Sequence, residues 1–341
     1  MQMTLTVNVI RGPILESCHQ IEAAVCDAAG RRVAGTENPD RVTTFRSTAK
    51  PFQLLPLVER GHADRWGFSD QELAVMTASH TGSAEHLRLV SGILGRIGLG
   101  PEHLACGYHD PIDRESLAVV RAHPEQRSPL YNNCSGKHAS MLALAVAEKW
   151  PVAGYERADH PVQQLIHQTL AQVCGVDPES LQTGTDNCAV VVFGAPLSVM
   201  AHGYARLAAA MADGDARDQA LHRIRTAMTS HPLAVGGAGR FTTTLMEKSR
   251  GRLVAKGGAE GLHCIGIPGR GLGVAVKCLD GATRALAPAV IALLQQLEAL
   301  SEGDLERLGD LRRPILRNHR GDTVGAVEVS FRVLSGSLRE I

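Results

Sequence analysis

Residues 4–10 read TLTVNVI, an alternation rich in β-branched side chains that predicts a strand. Two short runs follow, IEAAVCDA at 21–28 and RRVAGT at 31–36, and Gly30 separates them. Apolar runs joined by a glycine-containing turn are typical of a β-hairpin. The chain therefore begins as a small antiparallel unit.

The far end of the chain returns to the same pattern. Strands are predicted at 252–256, 261–267, 272–279 and 323–334, with an apolar-faced helix over 283–300. The middle has helical spacing, with a short strand candidate at 188–196. The predicted helices cover 51–60, 70–78, 84–97, 115–122, 139–149, 161–174 and 205–228.

This order of elements predicts an α/β fold of the α+β type. A mixed sheet is built from both chain ends and flanked by helices, and a helical lobe is inserted between them. We expect residues 1–341 to form a single catalytic domain of two lobes. The sheet lobe covers about 1–60 and 185–341, and the helical lobe about 61–184.

Composition excludes several classes of protein. The 35 basic and 35 acidic side chains balance and form no basic run, so we expect no nucleic-acid partner. The longest apolar stretch, near Ala285–Leu297, is too short to span a bilayer and contains Pro288. No secretory signal pattern opens the chain, and eight cysteines are too dilute for a disulfide scaffold. These features favour a cytoplasmic protein with reduced thiols.

The first candidate site is Ser47-Thr48-Ala49-Lys50. A serine and a lysine three residues apart lie on one face if a helix begins here. A neutral lysine can then take the hydroxyl proton and make the serine a nucleophile. The alternative is a serine that caps the helix beside a solvated lysine. Pro51 suits an early helical position, and Pro56 is expected to kink or reset the helix.

The second candidate site is YNNCSGKH at 131–138, directly before an apolar helix. Cys134 and Lys137 are three residues apart, so one helical turn could bring them together. Cys188, in the turn TGTDNC at 183–188, offers a further soft ligand. Two thiolates, a nitrogen and a water complete a four-coordinate zinc site. The alternative is that both cysteines are small buried hydrophobic residues.

A third group of polar residues is ASHTGSAEH at 78–86, just before a predicted helix. Ser83, Glu85 and His86 can act as caps of that helix. Ser79 is a second hydroxyl expected to face the same pocket. The remaining cysteines are expected in the core, and two glycine-rich segments, 234–240 and 256–258, could line the pocket.

Five motifs together resemble one family, and they occur in its order along almost the whole chain. They are STAKP at 47–51, ASHTGSAEH at 78–86, YNNCSGKHASML at 131–142, GTDNC at 184–188 and GGAGRFTTTLME at 236–247. The family is that of the asparaginases typified by the Rhizobium etli enzymes.

The resemblance implies a fold similar to serine β-lactamases and glutaminases, and a homodimer. It also implies two catalytic pairs, Ser47 with Lys50 and Ser79 with Lys137. The family's zinc ligands fall on Cys134, Lys137 and Cys188, with one Zn²⁺ and a water per chain. Asp186 and His138 match positions close to that zinc.

The expected activity is therefore hydrolysis of L-asparagine to L-aspartate and ammonia. Ser47 is the first choice of nucleophile and Ser79 the second. Arg46, His138 and Asp186 are candidates for binding the substrate, and the zinc is expected to orient Lys137 rather than to activate water. Three alternatives stay open: a glutaminase, a β-lactamase-like acyl transferase, and a zinc-thiolate sensor without enzymatic activity.

Overall fold

The computed structural model describes residues 2–335. The strands are β1 (Gln2–Arg11), β2 (Ile14–Asp27), β3 (Arg32–Gly35), β4 (Val42–Thr44), β5 (Gln182–Thr185), β6 (Val191–Pro196), β7 (Val254–Gly258), β8 (Leu262–Ile267), β9 (Leu272–Cys278), β10 (Ile315–Arg317) and β11 (Thr323–Ser335). The helices are α1 (Lys50–Glu59), α2 (His62–Arg65), α3 (Asp70–Met76), α4 (Ala84–Arg96), α5 (Arg114–Ala122), α6 (Ser135–Ala147), α7 (Pro161–Cys174), α8 (Leu197–Ala209), α9 (Ala216–Ser230), α10 (Pro232–Gly236), α11 (Phe241–Lys248), α12 (Leu286–Gln296) and α13 (Glu302–Leu308).

The chain divides into two compact units. The first falls within Met1–Thr48, Ala195–Ala209 and Lys248–Ile341, and the second within Ala49–Gly194 and Ala210–Glu247. One division point lies between Thr48 and Ala49, so Ser47 belongs to the first unit and Lys50 to the second.

The first unit contains a sheet of eight strands, in the order β10-β11-β1-β3-β2-β9-β8-β7. Strand β1 runs antiparallel to β11 over its whole length, from Gln2 opposite Ser335 to Arg11 opposite Gly325. The two ends of the described chain are therefore neighbours in one sheet. This confirms the predicted mixed sheet that is built from both chain ends and flanked by helices.

Alternation in the sequence explains which faces of this sheet are buried. In β1 the residues Met3, Leu5, Val7 and Val9 point into the core, as the period of two predicts. Every residue of β9 is buried, which requires cover on both faces. Helix α8 packs against β2, β8 and β9, and α12 contacts β1, β8, β9 and β11.

The second unit is mainly helical. Helix α1 packs against α6, α7 and α9, and α3 packs against α6 and α9. Helices α3 and α6 approach closely at Gly136, where an added Cβ would lie 2.1 Å from the carbonyl oxygen of Val75. A glycine is therefore required at this contact, because any side chain would overlap backbone atoms. The strand β5 pairs with β6 in antiparallel register, Thr185 opposite Val191.

Two details of the predicted elements are wrong. The single helix predicted over 205–228 is two helices, since α8 ends at Ala209 and Asp215 caps α9 by accepting from the amide of Asp218. Helix α1 continues through Pro56 to Glu59, so the helix is not reset there, and the kink at Pro56 stays a prediction. In addition, Cys18 is exposed and not part of the core.

None of the helices within residues 2–335 has both the length and the apolar character that crossing a bilayer requires.

Candidate functional site

Lys50 is the first residue of α1 and its side chain is buried, with 1% exposure. Its Nζ donates to the carbonyl oxygen of Ala78 and lies 3.0 Å from the Oγ of Ser79. The partners of the amine are therefore a backbone carbonyl, a serine hydroxyl and the sulfur of Cys134.

The backbone around Ser79 is fixed by neighbouring loops of the second unit. Helix α3 ends at Met76, and the Ser79 amide donates to the carbonyl of Val235 at 3.0 Å. The next amide, of His80, donates to the carbonyl of Asn133 at 3.2 Å. Ser79 is half-buried, so its hydroxyl contacts the buried amine of Lys50 and can also be reached by solvent.

The start of α6 brings two thiols and a second amine together. Cys134 directly precedes the helix, and Lys137 lies in its first turn. The Nζ of Lys137 donates to the Sγ of Cys188 at 2.9 Å, and Cys188 in turn is hydrogen-bonded to Cys134. Lys50 is hydrogen-bonded to Cys134 as well. The exposures of Cys134, Lys137 and Cys188 are only 5%, 2% and 3%.

The turn that presents Cys188 is tight and strained. The amide of Ala189 donates to the carbonyl of Asp186 at 2.9 Å, and the amide of Asp186 donates to the carbonyl of Val190, also at 2.9 Å. Ala189 has a φ of +70°, in the left-handed region that side chains other than that of glycine rarely adopt. The turn is therefore held in place by its neighbours against a local conformational cost.

Charges in the cluster are distributed unevenly between the two thiols. Hydrogen bonding from Cys188, helped by the Lys50 and Lys137 cations, holds the pKa of Cys134 well below its ordinary value despite burial. Hydrogen bonding to Cys134, with burial, raises the pKa of Cys188. Burial opposes the charge of Lys137, but the sulfur atoms of Cys134 and Cys188 raise its pKa overall. These shifts favour a thiolate on Cys134 and an ammonium on Lys137.

His138, predicted to bind substrate, lies fully buried beside this cluster. Its Nδ1 is 2.6 Å from the hydroxyl of Tyr155, and that hydroxyl also accepts from the amide of Ala105. Among the described residues its Nε2 has no hydrogen-bond partner. Burial, with Lys137 and Lys50 nearby, holds the pKa of His138 well below its usual range, so the ring is neutral.

Asp186, Arg46 and Ser47 occupy different surroundings. The Asp186 carboxylate lies close enough to Lys137 to help raise the pKa of that amine. Arg46 and Ser47 are half-buried in a 3-10 turn, Arg46–Ala49, in the first unit. Arg46 has a φ of +46° and its guanidinium is 4.0 Å from the carboxylate of Glu260.

Strand β7 runs beside this turn within the first unit. An added Cβ on Gly258 would lie 3.2 Å from the carbonyl oxygen of Phe45 and 3.3 Å from the Cγ2 of Thr48. The glycines of 256–258 therefore let the edge strand approach the segment that contains Ser47.

The structure thus brings together five predicted side chains in the second unit: Lys50, Ser79, Cys134, Lys137 and Cys188. The hydrogen bonds join Lys50 to Ser79 and Lys137 to Cys188, whereas the resemblance paired Ser47 with Lys50 and Ser79 with Lys137. The contact between Lys50 and Cys134 was not predicted. Neither was the partnership of Tyr155 with His138, for which the sequence carries no spacing signal.

A second group of donors lies in the first unit. The Nδ1 of His19, the Sγ of Cys278 and a carboxylate oxygen of Asp280 all lie within 4.8 Å of one another, so this group could hold a metal ion. However, the Nε of Arg284 donates to the Nε2 of His19 at 2.9 Å. The Nδ1 of that ring then carries the proton and donates to Asp280. A metal there would have to displace this proton beside a fixed cation.

Comparison with known proteins gives a family for the chain. Residues 7–329 match the family described as L-asparaginase II. No curated protein matches the sequence.

Solved structures that match the chain include the protein Mglu in its glutamate form and a β-lactamase from Mycobacterium bovis. Mglu is 17% identical, with a TM-score of 0.36, over 82% of this chain and 61% of its own. The β-lactamase is 14% identical, with a TM-score of 0.35, over 81% of this chain and 94% of its own. The chain spans about three fifths of the length of Mglu. Since the family match extends over residues 7–329 of the 341, the chain belongs to the L-asparaginase II family.

Proposed function

We propose that the protein is an L-asparaginase of the zinc-containing, serine–lysine type, which hydrolyses L-asparagine to L-aspartate and ammonia through a serine ester. The observation that supports this most directly is the buried Lys50 amine, 3.0 Å from the Ser79 hydroxyl and bonded to a backbone carbonyl. Once neutral, this amine can take the proton of a serine hydroxyl.

The reaction has two halves. A serine Oγ attacks the side-chain amide carbon of asparagine, and its proton passes to the Lys50 Nζ. The tetrahedral intermediate collapses, the C–N bond breaks, and Nζ returns the proton to the leaving ammonia. Water then attacks the aspartyl ester, with the same amine as base, and aspartate leaves while the serine regains its proton. The oxyanion also needs preorganised donors, and backbone N–H groups near Ser47 are the ones we propose.

Ser47 is the proposed nucleophile and Ser79 the alternative. Ser47 precedes Lys50 by one turn in a continuous helical run, the 3-10 turn Arg46–Ala49 followed by α1. Ser79 is bonded to the amine, but its own amide already donates to Val235. A nucleophile often supplies its own N–H to the oxyanion, as in the chymotrypsin template, and that of Ser79 is occupied. Ser79 then holds the amine in place.

Zinc is proposed at Cys134, Lys137 and Cys188. These residues fit zinc for two reasons. Cys188 is hydrogen-bonded both to Lys137 and to Cys134, so the three donors lie together, and thiol and amine donors suit Zn²⁺. Binding would require loss of the remaining thiol proton and of the ammonium proton. The bound ion would supply a fixed positive charge that orients Lys137. The group at His19, Cys278 and Asp280 is the weaker candidate because Arg284 fixes its imidazole proton.

Substrate binding is proposed for Arg46, His138 and Asp186. An amino acid requires a cation for its carboxylate and an acceptor for its ammonium group, and Arg46 and Asp186 provide these charges. Glutamine is longer by one methylene, a difference that usually changes kcat/KM by about 10- to 200-fold. Glutaminase activity is therefore the main competing reading. The homodimer and the cytoplasmic location stay predictions.

The test is one purified sample assayed for ammonia release and for bound metal. Asparagine and glutamine are compared as substrates, and the β-lactam nitrocefin is the third substrate. The expected result is turnover of asparagine with about one zinc per chain. Ser47→Ala and Ser79→Ala are then compared. A Ser47→Ala protein that retains more than a trace of activity would make Ser79 the nucleophile. A metal-bound protein that neither releases ammonia nor hydrolyses nitrocefin would leave only the zinc-thiolate sensor.

A further inference from the structure

His80 is a fully buried histidine that takes no part in the proposed chemistry, although it directly follows Ser79. Its ring contacts three parts of the second unit. The Nδ1 accepts from the amide of Gly82 at 3.1 Å, and the Nε2 lies 2.9 Å from the Oγ of Ser135. The ring also stacks on that of His86, with centroids 4.8 Å apart.

The hydrogen positions in this network follow from its donors. The Gly82 N–H can only donate, so the Nδ1 of His80 bears a lone pair and its Nε2 bears the proton. That proton is donated to the Oγ of Ser135, which in turn donates to the carbonyl of Leu130 at 2.9 Å. Every polar atom of the His80 ring is therefore satisfied in one neutral tautomer. Burial holds the pKa of His80 well below its usual range, in agreement with that tautomer.

This network connects the two halves of the candidate site. On one side is the loop that contains Ser79. On the other is Ser135, which directly follows Cys134 and begins the helix that contains Lys137. The amide of His80 adds a second link by donating to the carbonyl of Asn133. His80 therefore connects the two sides twice, through its imidazole ring to Ser135 and through its amide to Asn133.

We propose that His80 is a positioning residue, which holds Ser79 in register with the Cys134–Lys137 turn through its hydrogen bond to Ser135. The proposal rests on the function proposed above, in which Ser79 keeps the Lys50 amine in place. An error of about 1 Å in such a site can lower the rate about 100-fold. A positioning role therefore predicts an effect on kcat, with little change in KM.

The test is a double-mutant cycle on this hydrogen bond. His80→Ala and Ser135→Ala are each expected to lower kcat about 100-fold. The double variant His80→Ala/Ser135→Ala should be no slower than the single variants, because all three lack the same bond. His80→Gln, whose amide nitrogen can still donate to Ser135, should recover about tenfold of the loss in kcat. KM for asparagine should stay within about threefold throughout.

The matched control is His167→Ala. This half-buried histidine also bonds a backbone carbonyl, that of Pro178 at 2.8 Å, and packs on Phe193. It should lose stability while kcat per folded molecule is unchanged. Effects of His80→Ala and Ser135→Ala that multiply in the double variant, or that match the loss of folded protein, would overturn the proposal.

A second measurement separates this inference from the proposed function. Hydrogen exchange of the amides of His80 and Gly82 reports on the loop whether or not asparagine is turned over. If wild-type protein releases no ammonia, the proposed asparaginase activity fails. The link between the loop and α6 would still be supported by non-additive loss of protection in the same cycle, and refuted by additive loss.

Discussion

The amine of Lys137 donates to the sulfur of Cys188 at 2.9 Å, although 51 residues separate the two in the chain. The third member of the group is Cys134, which directly precedes the helix that contains Lys137. Three donors of the kind that bind zinc therefore converge at one place. Because the donors already converge, binding requires loss of protons rather than a rearrangement of the backbone.

Replacement of either thiol should abolish stoichiometric zinc. Cys134→Ser and Cys188→Ser each remove one soft ligand, so zinc per chain should fall below about one tenth of that in the wild type. Activity should fall at least tenfold, because the loss of support around a metal typically costs 10- to 100-fold. Elemental analysis and ammonia release on the same samples make the comparison.

The control for the thiol variants is Cys174→Ser, since Cys174 is a buried cysteine on α7 in the same unit. It should keep its zinc and its rate. Wild-type activity in a Cys134→Ser protein with verified loss of metal would show that zinc is not needed for turnover. Loss of zinc in Cys278→Ser, with full occupancy in Cys134→Ser, would move the metal to the first unit.

Replacement of Lys50 by arginine tests whether residue 50 acts as a base or only as a positive charge. Lys50→Arg keeps a positive charge and hydrogen-bond donors, but a guanidinium does not give up its proton in proteins. If Lys50 is the base, Lys50→Arg and Lys50→Met should both lower kcat at least 1,000-fold, in the range that general-base catalysis contributes. Circular dichroism checks the fold of each variant. Substantial activity in Lys50→Arg alone would give Lys50 an electrostatic role only.

The buried His263 should make stability depend on pH. Burial, with Lys256 nearby, lowers the pKa of His263 to about 3 in the folded chain. The unfolded chain takes up a proton near pH 6.5, whereas the folded chain does so only near pH 3. Stability is therefore full above about pH 6.5 and falls as the pH drops towards 3, by at most about 1.4 kcal/mol per pH unit.

His263→Gln cannot take up this proton, so its stability should decline less steeply than that of the wild type over the same range. Urea unfolding at pH 7, 6, 5 and 4 provides the two curves. Parallel curves for the two proteins would mean that His263 does not contribute to the acid sensitivity.

Gly136 should tolerate no side chain. Its added Cβ would lie 2.1 Å from the Val75 carbonyl oxygen, so Gly136→Ala must push α3 and α6 apart. A loss of about 3 kcal/mol in the free energy of unfolding is expected, at the upper end for overpacking.

Gly95→Ala is the matched control, because Gly95 is an exposed position in α4 with nothing within 4 Å of an added Cβ. That variant should gain about 0.5–1 kcal/mol. Equal stabilities of the two variants would contradict the close packing at Gly136.

Local signals in the sequence account for much of the fold. Pro161 and Gly175 delimit α7 at the predicted residues, because proline suits the first helical turn and Gly175 adopts a positive φ at the end. A sheet built from both chain ends was expected from the strands predicted there, and the pairing of β1 with β11 is a detail that the sequence analysis did not predict. The break between α8 and α9 was missed because apolar residues at 210–212 continue the helical spacing into the connection.

The candidate site could be predicted as a set of residues, but not as a set of contacts. Reactive side chains concentrated in short motifs identify Lys50, Ser79, Cys134 and Lys137. Which amine meets which partner depends on how α1, α6 and the 77–83 loop pack, and residue spacing within one segment does not encode that packing. The bond of Lys50 to Ser79 is therefore a tertiary result. The division into a sheet lobe, about 1–60 and 185–341, and a helical lobe, about 61–184, stays a prediction.

The left-handed backbone of Ala189 has a consequence for oxidation. A residue with a side chain in this conformation costs about 1 kcal/mol or more, and the surrounding hydrogen bonds must compensate for it. When those bonds loosen, the 186–190 turn relaxes spontaneously and Cys188 moves outward with it. We expect this movement to uncover the Cys134 sulfur, whose lowered pKa gives it the thiolate character that peroxide attacks, so the earliest oxidative damage should be a sulfenic acid on Cys134.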